Sequence, residues 1–391
     1  MEKSVAPANG MVSLHPLTGA DGGSSQTRDR EGLGARLRQL HGQLLEVVPA
    51  VDRIGCALYD QGDDLLRTFV NSTRCGTPIE AYEWRLAESA SLSQLARSGS
   101  SRVIDDIPTA ISGDTPHSRW LLEQGYRSSF TVPLLQRGEL IGILFFDSLR
   151  PAAFTAPVQR SLELFATLIN LTISQELDLV RSISLSAAVA REFANLRDTE
   201  TGGHLERMAH YARLIGRDLQ ASHGLSDEFI ENLYLFAPLH DIGKIGIPDE
   251  VLLKPGQLDA GERELMENHV RMGVEVLEKL IGDFDLEHRQ EAAMMRNVVA
   301  DHHECLDGSG YPRGLAGEAI SLEARIIAVA DVLDALTSQR PYKTSWSLDA
   351  ALSELERLVA MGKLDPDCVA AVARRRGDVE AIRERFRDTD A

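Results

Sequence analysis

The sequence predicts an α+β domain followed by an all-α domain, and three observations carry that division. The chain has 391 residues, and domains usually run to roughly 100–200 residues, so two cores are expected. From Arg53 to Asp147 the apolar residues fall in short runs separated by turn signals. Beyond Arg197 they recur almost throughout at helical spacing.

Residues 1–31 mix Gly, Ser, Pro, Asp and Arg with few large apolar side chains, and the expectation there is a flexible tail. Gly32 to Val48 has helical periodicity, and strands begin with Gly55–Tyr59 and Leu65–Val70. The clearest hairpin pairs Ser129–Leu135 with Leu140–Asp147 across a Gln136–Glu139 turn, where Gly138 is free to take positive φ. From Ser161 to Leu196 a long helix is expected, because Leu162, Phe165, Ile169, Ile173, Leu177, Val180 and Ile183 form one stripe uninterrupted by proline or glycine. Such a stripe packs either on its own domain or on the same helix of a second subunit, and the expected state is a homodimer.

Composition narrows the function classes. A net charge of −18 repels a long phosphate backbone, which argues against extended nucleic acid as a partner. No stretch approaches the roughly 20 apolar residues of a membrane span, and Met1–Gly10 lacks the order of a secretory signal. Cys56, Cys75, Cys305 and Cys368 are too scattered for a zinc or disulfide framework; Cys56 and Cys75 are read as packed thiols, and a cytoplasmic setting is expected. His117, after Pro116, is read as a surface histidine in a polar loop, with haem ligation as the alternative.

The chemistry gathers in the second half, where five of the eleven histidines sit in short clusters with acids. Glu200 and His204, four apart, would share one helical face. His240-Asp241 ends an apolar run, where an unpaired carboxylate is costly and a metal ion removes the cost. Imidazole with carboxylate suits Fe, Mn, Zn or Ni, and the aspartate can bridge two ions. Lys244, read on the same helical face, could hold a phosphate oxygen or be a plain surface lysine. His269 sits in a helix, and His302-His303 stands where a helix meets a loop. Asp331 and Asp334 interrupt the apolar run Ala324–Leu336, and buried acids there want cations. Together these clusters specify a multinuclear metal site better than any one of them.

Two resemblances refine the reading. "GYRSSFTVPLLQRGELIGILFFDS" and "FTAPVQRSLELFATLI", with the order of elements around them, resemble the GAF family of sensor domains over about residues 32–178. That implies a sensor domain at 32–160, a linker helix at 161–196, and an unidentified small ligand as a possible partner. "LHDIGKIGIPDEVLLKPGQL", "HHECLDGSGYPRGL" and "ARIIAVADVLDALTSQRPYK" resemble the HD-GYP phosphodiesterases over about residues 185–375, leaving 376–391 as a C-terminal helix or tail. This resemblance implies an HD-type metallohydrolase that cuts cyclic di-GMP to pGpG and often on to GMP, using two or three divalent ions, most often Fe or Mn.

By the same resemblance the metal ligands fall on Glu200, His204, His240, Asp241, His269, His302, His303 and Asp331, with Asp241 as the bridging, catalytic carboxylate. Lys244 takes the phosphate-side role, Tyr311 the tyrosine of the Gly-Tyr-Pro motif, and Arg340 and Lys343 the guanine and phosphate contacts. Glu200 implies a third ion. Cys305-Leu306 departs from the family's usual basic residue and tryptophan, and the stretch between His269 and His302 is slightly long. Both leave room for another cyclic dinucleotide, such as cyclic GMP-AMP, as substrate, or for a receptor that binds without cutting.

Overall fold

A computed structural model describes residues 32–195, 202–284, 286–287, 289–338 and 345–387. The expected tail at 1–31 and the site candidates Glu200, Arg340 and Lys343 lie outside these residues.

The first domain is built on one antiparallel sheet. Its strands are β1 (Arg53–Asp60), β2 (Leu65–Thr73), β3 (Glu83–Arg85), β4 (Arg102–Ile104), β5 (Ser128–Gln136) and β6 (Glu139–Ser148), in the order β3-β2-β1-β6-β5-β4. The β5–β6 hairpin turns at Arg137 and Gly138, both at positive φ. Alternation along β6 separates two environments. Leu144 and Phe146 face a core shared with α1 (Leu33–Val47) and α5 (Ala156–Asn195). Ile143 and Phe145 face the opposite side, where α2 (Ala90–Ser98), α3 (Ile107–Ala110) and α4 (Pro116–Glu123) lie.

Of the two packings expected for the α5 stripe, the described residues show the one within the chain. Leu162, Ile169 and Ile173 are buried in the core of the first domain, and Ile183 in that of the second. The stripe is therefore consumed within the chain, and one helix joins both cores. Leu164, Leu168 and Leu171 are exposed on the same helix.

Of the cysteines, Cys56 is packed, its thiol pushed up to about 12 by burial, whereas Cys75 is exposed, contrary to expectation. His117 is also displaced from its expected setting. Pro116 opens α4 with Thr115 as its cap, and the imidazole sits among Tyr82, Trp120 and Phe145. Proline at the first helical position explains why a loop signal proves to be a helix start.

The second domain is helical: α6 (Gly202–His223), α7 (Asp227–Phe236), α8 (Asp249–Leu252), α9 (Ala260–Asp283), α10 (Gln290–Asp301), α11 (Leu322–Thr337), α12 (Leu348–Ala360), α13 (Pro366–Arg374) and α14 (Arg376–Arg385) surround one apolar core. None of the described helices is long and apolar enough to cross a membrane.

Polar groups join the two domains. Glu228 of α7 accepts hydrogen bonds from the backbone N–H of Leu33 (2.5 Å) and Gly34 (3.0 Å). It thereby caps α1, which has no side-chain cap of its own. Nearby, Arg213 reaches Asp60 (3.4 Å) and Glu231 (2.8 Å), and Arg217 reaches Glu83 and Glu231, both at 3.1 Å.

Candidate metal centre

Residues from three helices and one turn converge in the second domain. His204 lies in the first turn of α6, His269 midway along α9, and His302-His303 directly after α10. His240 and Asp241 lie between two 3₁₀ turns, Ala237–Leu239 and Ile242–Gly246. The segment is thus wound more tightly than the α-helix expected from its sequence, and Lys244 reaches Asp241 by i,i+3 geometry, Nζ to Oδ2 at 2.9 Å. Gly243 permits the turn to lie against α9, because a Cβ there would collide with the backbone of His269 and Gly273.

The imidazoles are oriented from behind. The Nδ1–H of His240 donates to the carbonyl of Ala237 (2.8 Å), that of His269 to Met266 (2.8 Å), and that of His302 to Val298 and Val299 (3.1 Å each). A carbonyl can only accept, so each ring carries its proton on Nδ1 and presents Nε2 as a base. His204 is held differently, its Nδ1 at 2.8 Å from Asp334 Oδ2. Arg207 grips that carboxylate at 2.6 and 3.1 Å. Burial opposes the Asp334 charge, but His204 and Arg207 prevail and hold its carboxyl down to about 2. The cation that this buried acid was expected to want is the Arg207 guanidinium.

On the inner side lie Nε2 of His240, His269 and His302 and Oδ1 of Asp241, all buried and without a well-formed hydrogen bond. Asp241 Oδ2 is 3.0 Å from His240 Nε2, and Oδ1 is 3.2 Å from His269 Nε2 and 3.8 Å from His302 Nε2. Orphaned buried polar atoms are expensive, and cations held between them would satisfy all four. The donors form two groups, each with its atoms within 4.8 Å of one another: His204, His240 and Asp241, and Asp241, His269, His302 and His303. Asp241 belongs to both. The residues present therefore fit two ions that share one carboxylate.

For Asp241, His302 and His303 the electrostatics agree. Burial works against the charge of Asp241, yet Lys244 and His240 outweigh it and hold the carboxyl well below its usual range. Burial also favours neutral His302 and His303 and lowers both. Neutral imidazole and ionised carboxylate are the forms that bind metal. Asp331, half-buried on α11, stands outside both groups, though its charge helps to raise His240.

The loop after His303 closes one wall. Tyr311 stacks on His303 with ring centroids 4.7 Å apart, and its N–H donates to the His303 carbonyl. Buried Glu304 accepts from the N–H groups of Arg313 (2.7 Å) and Leu315 (2.8 Å), and the Arg313 guanidinium pairs with Asp301. Gly310 has no room for a Cβ, which would strike the backbone of residues 303–305. Sequence reasoning missed Arg207, Glu304 and Arg313. Glu304 beside His302-His303 offered a local signal, but Asp334 and Ser338, which Arg207 holds, are more than a hundred residues distant.

Comparison with known proteins fits this geometry. The HD domain family matches residues 188–368 and the GAF domain family residues 33–174. The cyclic di-GMP phosphodiesterase response regulator RpfG of Xanthomonas campestris is 38% identical over 333 residues, 81% of this chain and 83% of that protein. The chain belongs to the HD-GYP phosphodiesterases. Two further relatives in Vibrio cholerae are a cyclic di-GMP phosphodiesterase, 40% identical over 54% of this chain, and the 3'3'-cGAMP-specific phosphodiesterase 2, 40% identical over 41% of it. The matches span 42% and 28% of those two proteins. In this chain a GAF domain precedes the HD domain.

Proposed function

We propose that this chain is a cytoplasmic enzyme that hydrolyses cyclic di-GMP to pGpG, with GMP as a further product, under control of its GAF domain. The observation that carries this is Asp241, one carboxylate shared by two groups of converging imidazoles. His204, His240, Asp241, His269, His302 and His303 would hold iron or manganese, which would supply positive charge for the phosphodiester and acidify a water. Glu200 with His204 would provide for a third.

The chain's own groups divide the remaining work. Asp241 stays ionised and fixes the centre between its histidines. Lys244, beside it, stabilises charge that develops on the phosphoryl oxygens. Burial raises the Tyr311 phenol above its usual range, so it remains protonated and can donate to a substrate oxygen. Arg340 and Lys343 are assigned to the guanine and phosphate on the far side.

Incubating anaerobically purified protein with cyclic di-GMP and with cyclic GMP-AMP, and separating the products by chromatography, tests the reading. Faster loss of cyclic di-GMP is expected. Faster loss of the mixed dinucleotide would reassign the substrate, the alternative that Cys305-Leu306 favours, and binding without turnover would make the protein a receptor. The homodimer is assigned to the exposed Leu164, Leu168 and Leu171, which recur on one face of α5 as like surfaces would need to pair. Light scattering on Leu168→Glu should report a monomer if so.

A further inference from the structure

The first domain encloses a cavity of about 450 Å³ between its sheet and α2 and α4, and two arginines that line it are unlike each other. Arg53 is buried against Asp147, so its charge is answered within the protein. Arg102 is half-buried, and its guanidinium donates only to hydroxyls, Ser91 Oγ at 2.7 Å and Thr131 Oγ1 at 3.2 Å. Its Nε has no acceptor, and no carboxylate among the described residues lies within ion-pair distance of it. A cation so placed lacks the counter-charge that partly buried guanidinium groups ordinarily have.

The walls are flat and apolar. Tyr82 and Trp84 lie parallel, with 4° between their planes, and His117 packs at 5.7 Å from Tyr82 and 5.6 Å from Phe145. Burial, reinforced by Arg53, pushes His117 down to about 4, so its ring is uncharged at neutral pH. Glu88 and Asp114, both exposed, also line the cavity and oppose a second negative charge. The net requirement is one negative charge on a planar body.

We propose that this cavity binds a small monoanionic carboxylate with a flat apolar body, its carboxylate on Arg102 and its ring among Tyr82, Trp84 and His117. The proposal deepens the sensor reading above and rests on it for any effect on turnover.

The test uses full-length, metal-loaded protein and three probes: 2-naphthoate, the uncharged 2-naphthamide, and inorganic phosphate. Binding is followed by tryptophan fluorescence and thermal shift, and cyclic di-GMP turnover is measured alongside. Naphthoate should bind at least tenfold more tightly than the amide, and phosphate should not bind. Arg102→Gln should abolish the advantage of the acid while leaving the metal count unchanged, and Trp84→Ala should weaken acid and amide alike. Equal affinity for acid and amide in the wild type would overturn the proposal even if Arg102→Gln failed to fold. So would preference for phosphate, or an acid advantage that survives Arg102→Gln. Acid-selective binding with unchanged turnover would leave the cavity chemistry standing and refute the sensor reading alone.

Discussion

The metal centre and the cavity of the first domain both bury charge, but they hold it in opposite ways. At the centre, each of His240, His269 and His302 is fixed from outside through Nδ1, and the open donors all point inward to one place. In the cavity, Arg53 is cancelled by Asp147, and only Arg102 is left to answer, across a space many times larger than an ion. The first arrangement suits a partner of fixed size and charge. The second suits an organic molecule recognised by one charge and by shape.

Substitutions can break this contrast. Asp241→Ala removes the one carboxylate common to both donor groups, so turnover should fall to background and the metal count should drop. Circular dichroism should show the helices intact, because the apolar core persists. Retained metal with full turnover would end the bridging assignment. Next in size is Arg207→Met, which takes the permanent cation from the buried Asp334 carboxylate and leaves it to His204 and Ser338. Denaturant unfolding should report a loss of about 3–5 kcal/mol. Because the Asp334 carboxylate that anchors His204 is then no longer held by Arg207, metal affinity should also fall, by roughly 10–100-fold.

Lys244→Ala should keep the ions and lower kcat about a hundredfold, as for other preorganised charge stabilisers. An unchanged kcat would make Lys244 a structural partner of Asp241 only.

The cavity gives the smallest and most specific effect. Since His117 has a folded pKa of about 4 against an unfolded value of 6.5, the unfolded chain takes up the proton first as pH falls. Its stabilising contribution is complete above about 6.5 and is lost between there and about 4. Melting temperatures at pH 7 and pH 5 should therefore differ less in His117→Phe than in wild type. His210, pushed down to about 4 by burial and Arg213, and buried His41, also lowered, contribute to the slope that remains. An undiminished difference would remove His117 from the titrating set.

The contrast also explains what could be read from sequence. Two apolar runs either side of a turn holding Gly138 showed the β5–β6 hairpin to within a residue or two, because both faces of β6 are buried and the turn alone breaks the apolar run. His240, Asp241, His269 and His302-His303 stood out because polar residues in apolar runs demand a partner. What remained hidden was which partner. Asp334 is answered by Arg207, 127 residues earlier, and no local pattern encodes that distance. The α5 stripe was visible, but periodicity records that a face is buried and not what buries it. His117 looked solvent-facing beside Pro116, and only the fold sets it against Phe145.

The capping of α1 by Glu228 bears on how such proteins can be recombined. A helix whose first turn is completed by a carboxylate from the neighbouring domain does not travel as a self-sufficient cassette. Grafting another sensor onto this catalyst would leave Glu228 facing a foreign surface, and moving this sensor elsewhere would leave the amides of Leu33 and Gly34 exposed. A working chimera would have to carry that single acid across the seam, although it lies almost two hundred residues from the helix it completes.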